Sequence, residues 1–132
     1  MTMIRAADGL ALHRTDWPAG AGARGTVLLV HGLGEHAGRY AWLAGQLNGA
    51  GWHVTAVDHR GHGRSEGPRG GIPDGQALLA DLALAVDALR AERPGPLVLL
   101  GHSMGGLVAS RFVAEALVAA PAPWSRPVDA LV

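Results

Sequence analysis

Residues 97–105 read LVLLGHSMG, an apolar run that leads directly into a G-x-S-x-G pentapeptide. The pentapeptide alone is a weak signal in a chain with 20 glycines, so its context decides its meaning. The apolar run over residues 96–100 predicts a buried strand, and residues 104–119, rich in alanine and apolar side chains, predict a helix. Ser103 is therefore expected on a strained turn at the carboxyl edge of a sheet, where a nucleophile is presented.

Predicted strands and helices alternate along the rest of the chain. Strands are predicted over residues 10–16, 26–30, 52–57 and 128–132, and helices over residues 40–48 and 74–93. The helix over 74–93 is the clearest, with Asp74 as its cap and an apolar face at helical spacing formed by Leu78, Leu82, Val86 and Leu89. Residues 10–16 alternate apolar and polar, as in a half-exposed edge strand. The whole pattern predicts an α/β fold over residues 1–132, a mostly parallel sheet with helices on both faces.

Composition excludes several classes of protein. The 132 residues suit one domain, and 11 basic residues balance 11 acidic ones, which argues against a nucleic-acid-binding surface. With no cysteine there is neither a disulfide nor a thiolate metal site, and we expect no metal or cofactor. Residues 1–8 lack the apolar core of a signal peptide and no run approaches 18 apolar residues, so a cytoplasmic location is the expectation.

Three loops rich in glycine and histidine follow three of the predicted strands. They span residues 31–36, 58–65 and 101–105. Because ligands bind beyond the carboxyl ends of parallel strands, these loops are expected to converge on one site.

Together the three loops resemble the α/β-hydrolase fold. Within it they are most similar to the monoacylglycerol lipase and lysophospholipase-like group of serine aminopeptidase S33-type hydrolases. The resemblance covers the amino-terminal half of that family, whose members continue with a lid inserted after the strand that begins near Val128. It therefore implies a fold truncated before the lid and the later strands.

The resemblance implies a role for each matching residue. Ser103 would attack an ester carbonyl of a monoacylglycerol or lysophospholipid, forming an acyl-enzyme, and the backbone N–H groups of Leu33 and Met104 would form the oxyanion hole. Gly32 and Gly34 would keep the Leu33 backbone accessible. The remaining residues expected to support the site are His31, Asp58, Arg60, Gly101, His102 and Gly105.

A base for Ser103 is missing, since no histidine follows it and all seven histidines precede it. The family's acid and histidine both come after the serine. His102 adjoins Ser103, but neighbouring side chains at a strand end point apart. His31 and His59 are expected to bond loop backbone. Loss of the base costs about 10⁶ in kcat in serine proteases, so we expect the isolated chain to be inactive.

Two other interpretations remain open. The chain could be a non-catalytic truncated or split-gene product, whose sheet edge over residues 128–132 pairs with a complementing chain or with itself. Alternatively, residues 32–37 fit G-x-G-x-x-A after a strand and Asp58 ends the next one, as in a Rossmann dinucleotide-binding domain.

Overall fold

Apolar runs form the parallel centre of a six-stranded sheet in the computed structural model, which describes residues 3–132. The strands are β1 (Met3–Arg5), β2 (Ala11–Trp17), β3 (Gly25–Val30), β4 (Trp52–Val57), β5 (Leu97–Gly101) and β6 (Ala130–Leu131), in the order β1-β2-β4-β3-β5-β6. All six residues of β3 are buried, because that strand lies inside the sheet and is covered on both faces.

The parallel pairs bring three strand ends to the same edge. β3 pairs with both β4 and β5 in parallel, with Val27 opposite Val54 on one side and Val30 opposite Gly101 on the other. The loops that follow β3, β4 and β5 therefore leave from one edge of the sheet. The α/β architecture predicted from the alternating pattern is confirmed.

Strand β2 is not the edge strand that its alternating sequence predicts. β1 pairs with it on the outside in antiparallel fashion, Ile4 opposite Leu12, and β2 also runs antiparallel to β4. The sheet is thus mixed at this end. β1 escapes prediction because three residues are too few for a period-two pattern to be recognised.

Helices pack on both faces of the sheet. α1 (Ala41–Gly49) follows a 3-10 turn (Ala37–Tyr40) and covers the face that carries Val27 and Val54. α2 (Ala77–Glu92) and α3 (Met104–Glu115) cover the opposite face. The predicted apolar face of α2 is buried, but the helix begins at Ala77 and not at Asp74. The Asp74 carboxylate instead accepts the Gln76 N–H at 2.7 Å in the preceding turn.

α3 ends at Glu115, four residues before the predicted end. The Glu115 carboxylate accepts the Ala122 N–H at 2.7 Å and a hydrogen bond from Arg111, so the chain folds back there. Leu117 and Val118, which lie within the predicted helix but beyond its observed end, are exposed. Beyond the turn, Trp124 stacks on the buried Phe112 with ring centroids 5.9 Å apart.

The strand predicted over residues 128–132 is shorter than expected. β6 covers Ala130–Leu131 and runs parallel to β5 at the edge of the sheet, where Leu131 and Val132 are exposed. Of the helices formed by residues 3–132, none is both long enough and apolar enough to span a lipid bilayer.

Candidate active site

The turn between β5 and α3 holds Ser103 in a conformation that side chains rarely adopt. Its φ is 57° and its ψ is −122°, and within residues 3–132 it is the only residue besides glycine with a positive φ. The turn is strained, as its position between a strand and a helix predicts. Backbone strain of this kind costs about 1–3 kcal/mol and is concentrated at functional sites.

Gly101 and Gly105 are required by the packing around this turn. A Cβ on Gly101 would lie 2.5 Å from the Gly105 carbonyl oxygen, and one on Gly105 would collide with the carbonyl groups of Val30 and His31. Gly106 is different, since a Cβ there would meet Gly101 at an ordinary 3.5 Å. The two outer glycines of the pentapeptide therefore let α3 start directly against the ends of β3 and β5.

The loop after β3 lies directly against Ser103. A Cβ on Gly32 would stand 3.2 Å from the Ser103 Cβ and 3.2 Å from the His102 carbonyl oxygen. Gly34 has open space around it but a φ of +74°, which a residue with a side chain would resist. Gly32 thus permits the loop to approach Ser103 closely, whereas Gly34 permits a positive φ. The two glycines that flank Leu33 are therefore required for different reasons.

Two backbone N–H groups at this junction are unpaired. Across residues 3–132, neither the Leu33 N–H nor the Met104 N–H donates a hydrogen bond. Met104 occupies the first position of α3, where an N–H has no partner within the helix. Unpaired N–H groups beside a serine are the donor type that oxyanion holes use.

The loops after β3 and β4 are joined by His31 and His59. The His59 N–H donates to His31 Nε2 at 2.9 Å, and His59 Nε2 donates to the His31 carbonyl at 2.8 Å. Burial lowers the pKa of His59 to about 4, so its ring is neutral near pH 7. His62 also bonds backbone, at the Arg60 carbonyl oxygen 3.1 Å away.

Asp58 is a buried residue that links the same two loops by hydrogen bonds. Its buried carboxylate accepts the Ala37 N–H at 2.7 Å and the Arg64 N–H at 2.9 Å. In a dinucleotide-binding domain this carboxylate would instead face a ribose. Asp58 therefore supports the loops, which favours a hydrolase over the Rossmann alternative.

Arg60 connects the loop after β4 to two other parts of the fold. It donates to Asp81 of α2 at 2.7 and 2.8 Å, and to Asp8, which follows β1, at 2.7 Å. The hydrogen bonds that Arg60 donates to Asp81 and Asp8 raise the pKa of Arg60 above its ordinary range. These side-chain contacts join parts of the fold, and none of them involves Ser103.

Glu35 is a supporting residue of this site that the sequence motifs do not identify. It accepts the Gly32 N–H at 2.8 Å and hydrogen bonds with the Tyr40 hydroxyl, and it lies 3.5 Å from His102 Nδ1. Burial opposes its charge, but these partners outweigh burial and lower the pKa of Glu35 to about 2. A carboxylate three residues after a loop N–H, the spacing of a capping box, was the available signal.

No histidine side chain of residues 3–132 is hydrogen bonded to Ser103. The His102 ring, 65% exposed, lies 3.3 Å from the Tyr40 hydroxyl and close to Glu35. The structure therefore presents a serine and two donors without an adjacent imidazole base.

The chain matches a known protein family and its solved structures. A family model described as "Serine aminopeptidase, S33" matches residues 21–125. Human monoglyceride lipase is 42% identical over 110 residues, which are 83% of this chain and 36% of that protein. Monoacylglycerol lipase from Mycolicibacterium smegmatis is 44% identical over 91 residues, which are 68% of this chain and 32% of that protein.

A crystal structure of a soluble variant of monoglyceride lipase from Saccharomyces cerevisiae, in complex with a substrate analog, superposes with a TM-score of 0.73. The identity is 30%, over 86% of this chain and 38% of that one. The chain thus spans about a third of the length of the curated relatives it matches.

Proposed function

Because the chain belongs to the serine aminopeptidase S33 family of α/β-hydrolases, we propose that it hydrolyses carboxylic esters through Ser103. The proposed substrate is a monoacylglycerol, as the names of the lipases it resembles suggest, or a lysophospholipid, as the resemblance of its three loops to the lysophospholipase-like group implies. One observation carries the proposal. Ser103 sits on a strained turn beside the unpaired N–H groups of Leu33 and Met104.

The proposed reaction proceeds through an acyl-enzyme. Ser103 Oγ attacks the ester carbonyl carbon while its proton passes to a base, and the carbonyl oxygen gains negative charge. The N–H groups of Leu33 and Met104 stabilise that oxygen, each by about 3 kcal/mol. The base passes its proton to the leaving oxygen as the tetrahedral intermediate collapses and releases the alcohol, and water then hydrolyses the acyl-serine by the same route.

We propose further that residues 1–132 alone do not turn over esters at an enzymatic rate. A serine hydroxyl needs an imidazole within hydrogen-bond reach, and none of the described histidines provides one. The family resemblance places the acid and the histidine after the serine. The base would then be supplied by residues outside the range 3–132.

Imidazole rescue tests the function directly. The chain and its Ser103→Ala variant are incubated with p-nitrophenyl butyrate at increasing imidazole concentration, and the Ser103 peptide is analysed by mass spectrometry. We expect a butyryl group on Ser103 that depends on imidazole. Equal p-nitrophenol release by both proteins, with no acylated peptide, contradicts the proposed nucleophile. Ser103-dependent turnover without imidazole contradicts the need for an external base.

The exposed edge at β6 supports a second candidate function, a chain that acts only when another strand pairs there. Leu131 and Val132 present apolar side chains at that edge. Light scattering after size-exclusion chromatography tests it, and a monomer at all concentrations argues against self-association. A cytoplasmic location remains part of the proposal.

A further inference from the structure

Two consecutive peptide groups precede the Leu33 side chain, and three of their four polar ends are hydrogen bonded. The His31 carbonyl accepts from His59 Nε2 at 2.8 Å, and the Gly32 N–H donates to Glu35 Oε1 at 2.8 Å. The Gly32 carbonyl accepts from His31 Nδ1 at 2.7 Å. The fourth end is the Leu33 N–H, which has no partner in the described part of the chain.

These contacts define the protonation state of His31. A carbonyl oxygen can only accept, so His31 Nδ1 must carry the hydrogen that it shares with Gly32. Its Nε2 accepts the His59 N–H at 2.9 Å and therefore carries none. His31 is 1% exposed, and burial lowers its pKa, which favours the neutral form.

The bond from His31 Nδ1 also determines the direction of the Leu33 N–H. Residues 3–132 contain no cis peptide bond, so the Gly32 carbonyl and the Leu33 N–H point in opposite directions across one planar group. Holding the carbonyl toward the buried imidazole turns the N–H away from it. A hydrogen bond at the carbonyl also polarises the peptide and strengthens its N–H as a donor.

We propose that His31, as its Nδ1–H tautomer, is a positioning residue that holds the Gly32–Leu33 peptide with its N–H free for the oxyanion. The role of that N–H in ester hydrolysis rests on the proposed function. The orientation itself depends only on the contacts of His31, His59 and Gly32. The hydrogen bonds of His31 go to Gly32 and His59 and not to Ser103, so His31 acts through the peptide.

Two amide variants separate positioning from mere packing. The Asn amide nitrogen approximates His Nδ1, so His31→Asn can keep the donor to the Gly32 carbonyl and loses the acceptor for the His59 N–H. The Gln amide reaches the place of Nε2, so His31→Gln can keep that acceptor and loses the donor to Gly32. Each variant lacks one hydrogen bond, and a packing role would affect both alike.

Nuclear magnetic resonance of the ¹⁵N-labelled 132-residue chain measures the outcome without turnover. We expect a protonated-type Nδ1 and an unprotonated-type Nε2 for His31 at pH 7. The Leu33 amide proton should move upfield in His31→Gln and stay near its original shift in His31→Asn. An Nε2–H tautomer, or equal Leu33 shifts in the two variants, overturns the proposal.

If neither variant folds, the tautomer of His31 in the unmodified chain tests the proposal, with Nδ1–H supporting it and Nε2–H overturning it. The imidazole-rescue assay tests the proposed function independently of this measurement, so either experiment can give a negative result without the other. Absence of Ser103 acylation together with the Nδ1–H tautomer contradicts ester hydrolysis and leaves the peptide orientation supported.

Discussion

Arg60 donates two hydrogen bonds to Asp81, from Nε at 2.7 Å and from Nη2 at 2.8 Å, and both side chains are buried. This paired contact anchors the loop after β4 onto α2. The same loop holds the chain around Leu33 through His59 and Asp58. The position of the candidate oxyanion donor therefore depends on an ion pair on the opposite face of the sheet from α1.

Replacing Arg60 by methionine is expected to destabilise the fold by about 3–5 kcal/mol, because the Asp81 carboxylate is left buried without its partner. Urea denaturation followed by circular dichroism measures the change. Asp8→Asn is the matched control, since the Asp8 side chain is 50% exposed and its contact with Arg60 is screened by solvent. We expect no resolved change in the control. Equal effects of the two variants would show that the buried pair does not anchor the loop.

Gly105→Ala and Gly106→Ala are expected to act in opposite directions. The first places a Cβ against the Val30 and His31 carbonyl groups and should cost about 3 kcal/mol. The second meets only ordinary contacts and replaces a helical glycine, which should stabilise α3 by about 1 kcal/mol. Thermal and urea unfolding of both variants test the difference. Similar stability of the two proteins would contradict the close packing of the turn against β3.

The sequence predicts the central strands well because they are rich in apolar residues, which form continuous runs in β3 and β5. Residues 52–57 form β4 within the predicted bounds, β3 begins one residue before its predicted start, and β5 is shifted by one residue at both ends. The early end of α3 was not predictable, since it depends on the contact of Glu115 with Ala122 across a turn. A local sequence pattern does not predict the end of a helix when a contact with a residue outside the helix determines it.

In the candidate site, too, some residues follow from the local sequence and others only from the three-dimensional structure. Ser103 and the flanking glycines follow from a short motif and its neighbouring elements. Glu35 does not, because its role appears only when the Gly32 N–H, the Tyr40 hydroxyl and the His102 ring are brought together in space. Motifs identify groups that act through backbone geometry, whereas supporting side chains require the fold.

The free energy of unfolding is expected to fall when the pH drops below about 6.5. Burial lowers the pKa of His59 from 6.5 to about 4, so between these values the unfolded chain binds a proton that the folded chain does not. The contribution of His59 is full above pH 6.5, decreases toward pH 4 and amounts to about 3 kcal/mol. Urea titrations across this range measure it.

His59→Gln should reduce the acid sensitivity, because the amide can donate to the His31 carbonyl without titrating. His102→Gln is the matched control, as the His102 ring is 65% exposed. An unchanged slope in His59→Gln would contradict the assignment to His59.

Relief of strain at the candidate nucleophile gives a last test. Ser103 has a φ of 57° and a ψ of −122°, a region that glycine enters with little cost and other residues do not. Ser103→Gly is therefore expected to be more stable than Ser103→Ala by about 1–3 kcal/mol, measured by urea unfolding. Ser110, which is exposed on α3, is the control position. There we expect Ser110→Gly to be less stable than Ser110→Ala, because glycine in a regular helix is about 1 kcal/mol less favourable than alanine. If glycine is the worse replacement at both positions, the turn stores no strain. The reversal of sign between the two serines would show that the fold holds this one residue against its backbone preference, which is what presentation of a nucleophile requires.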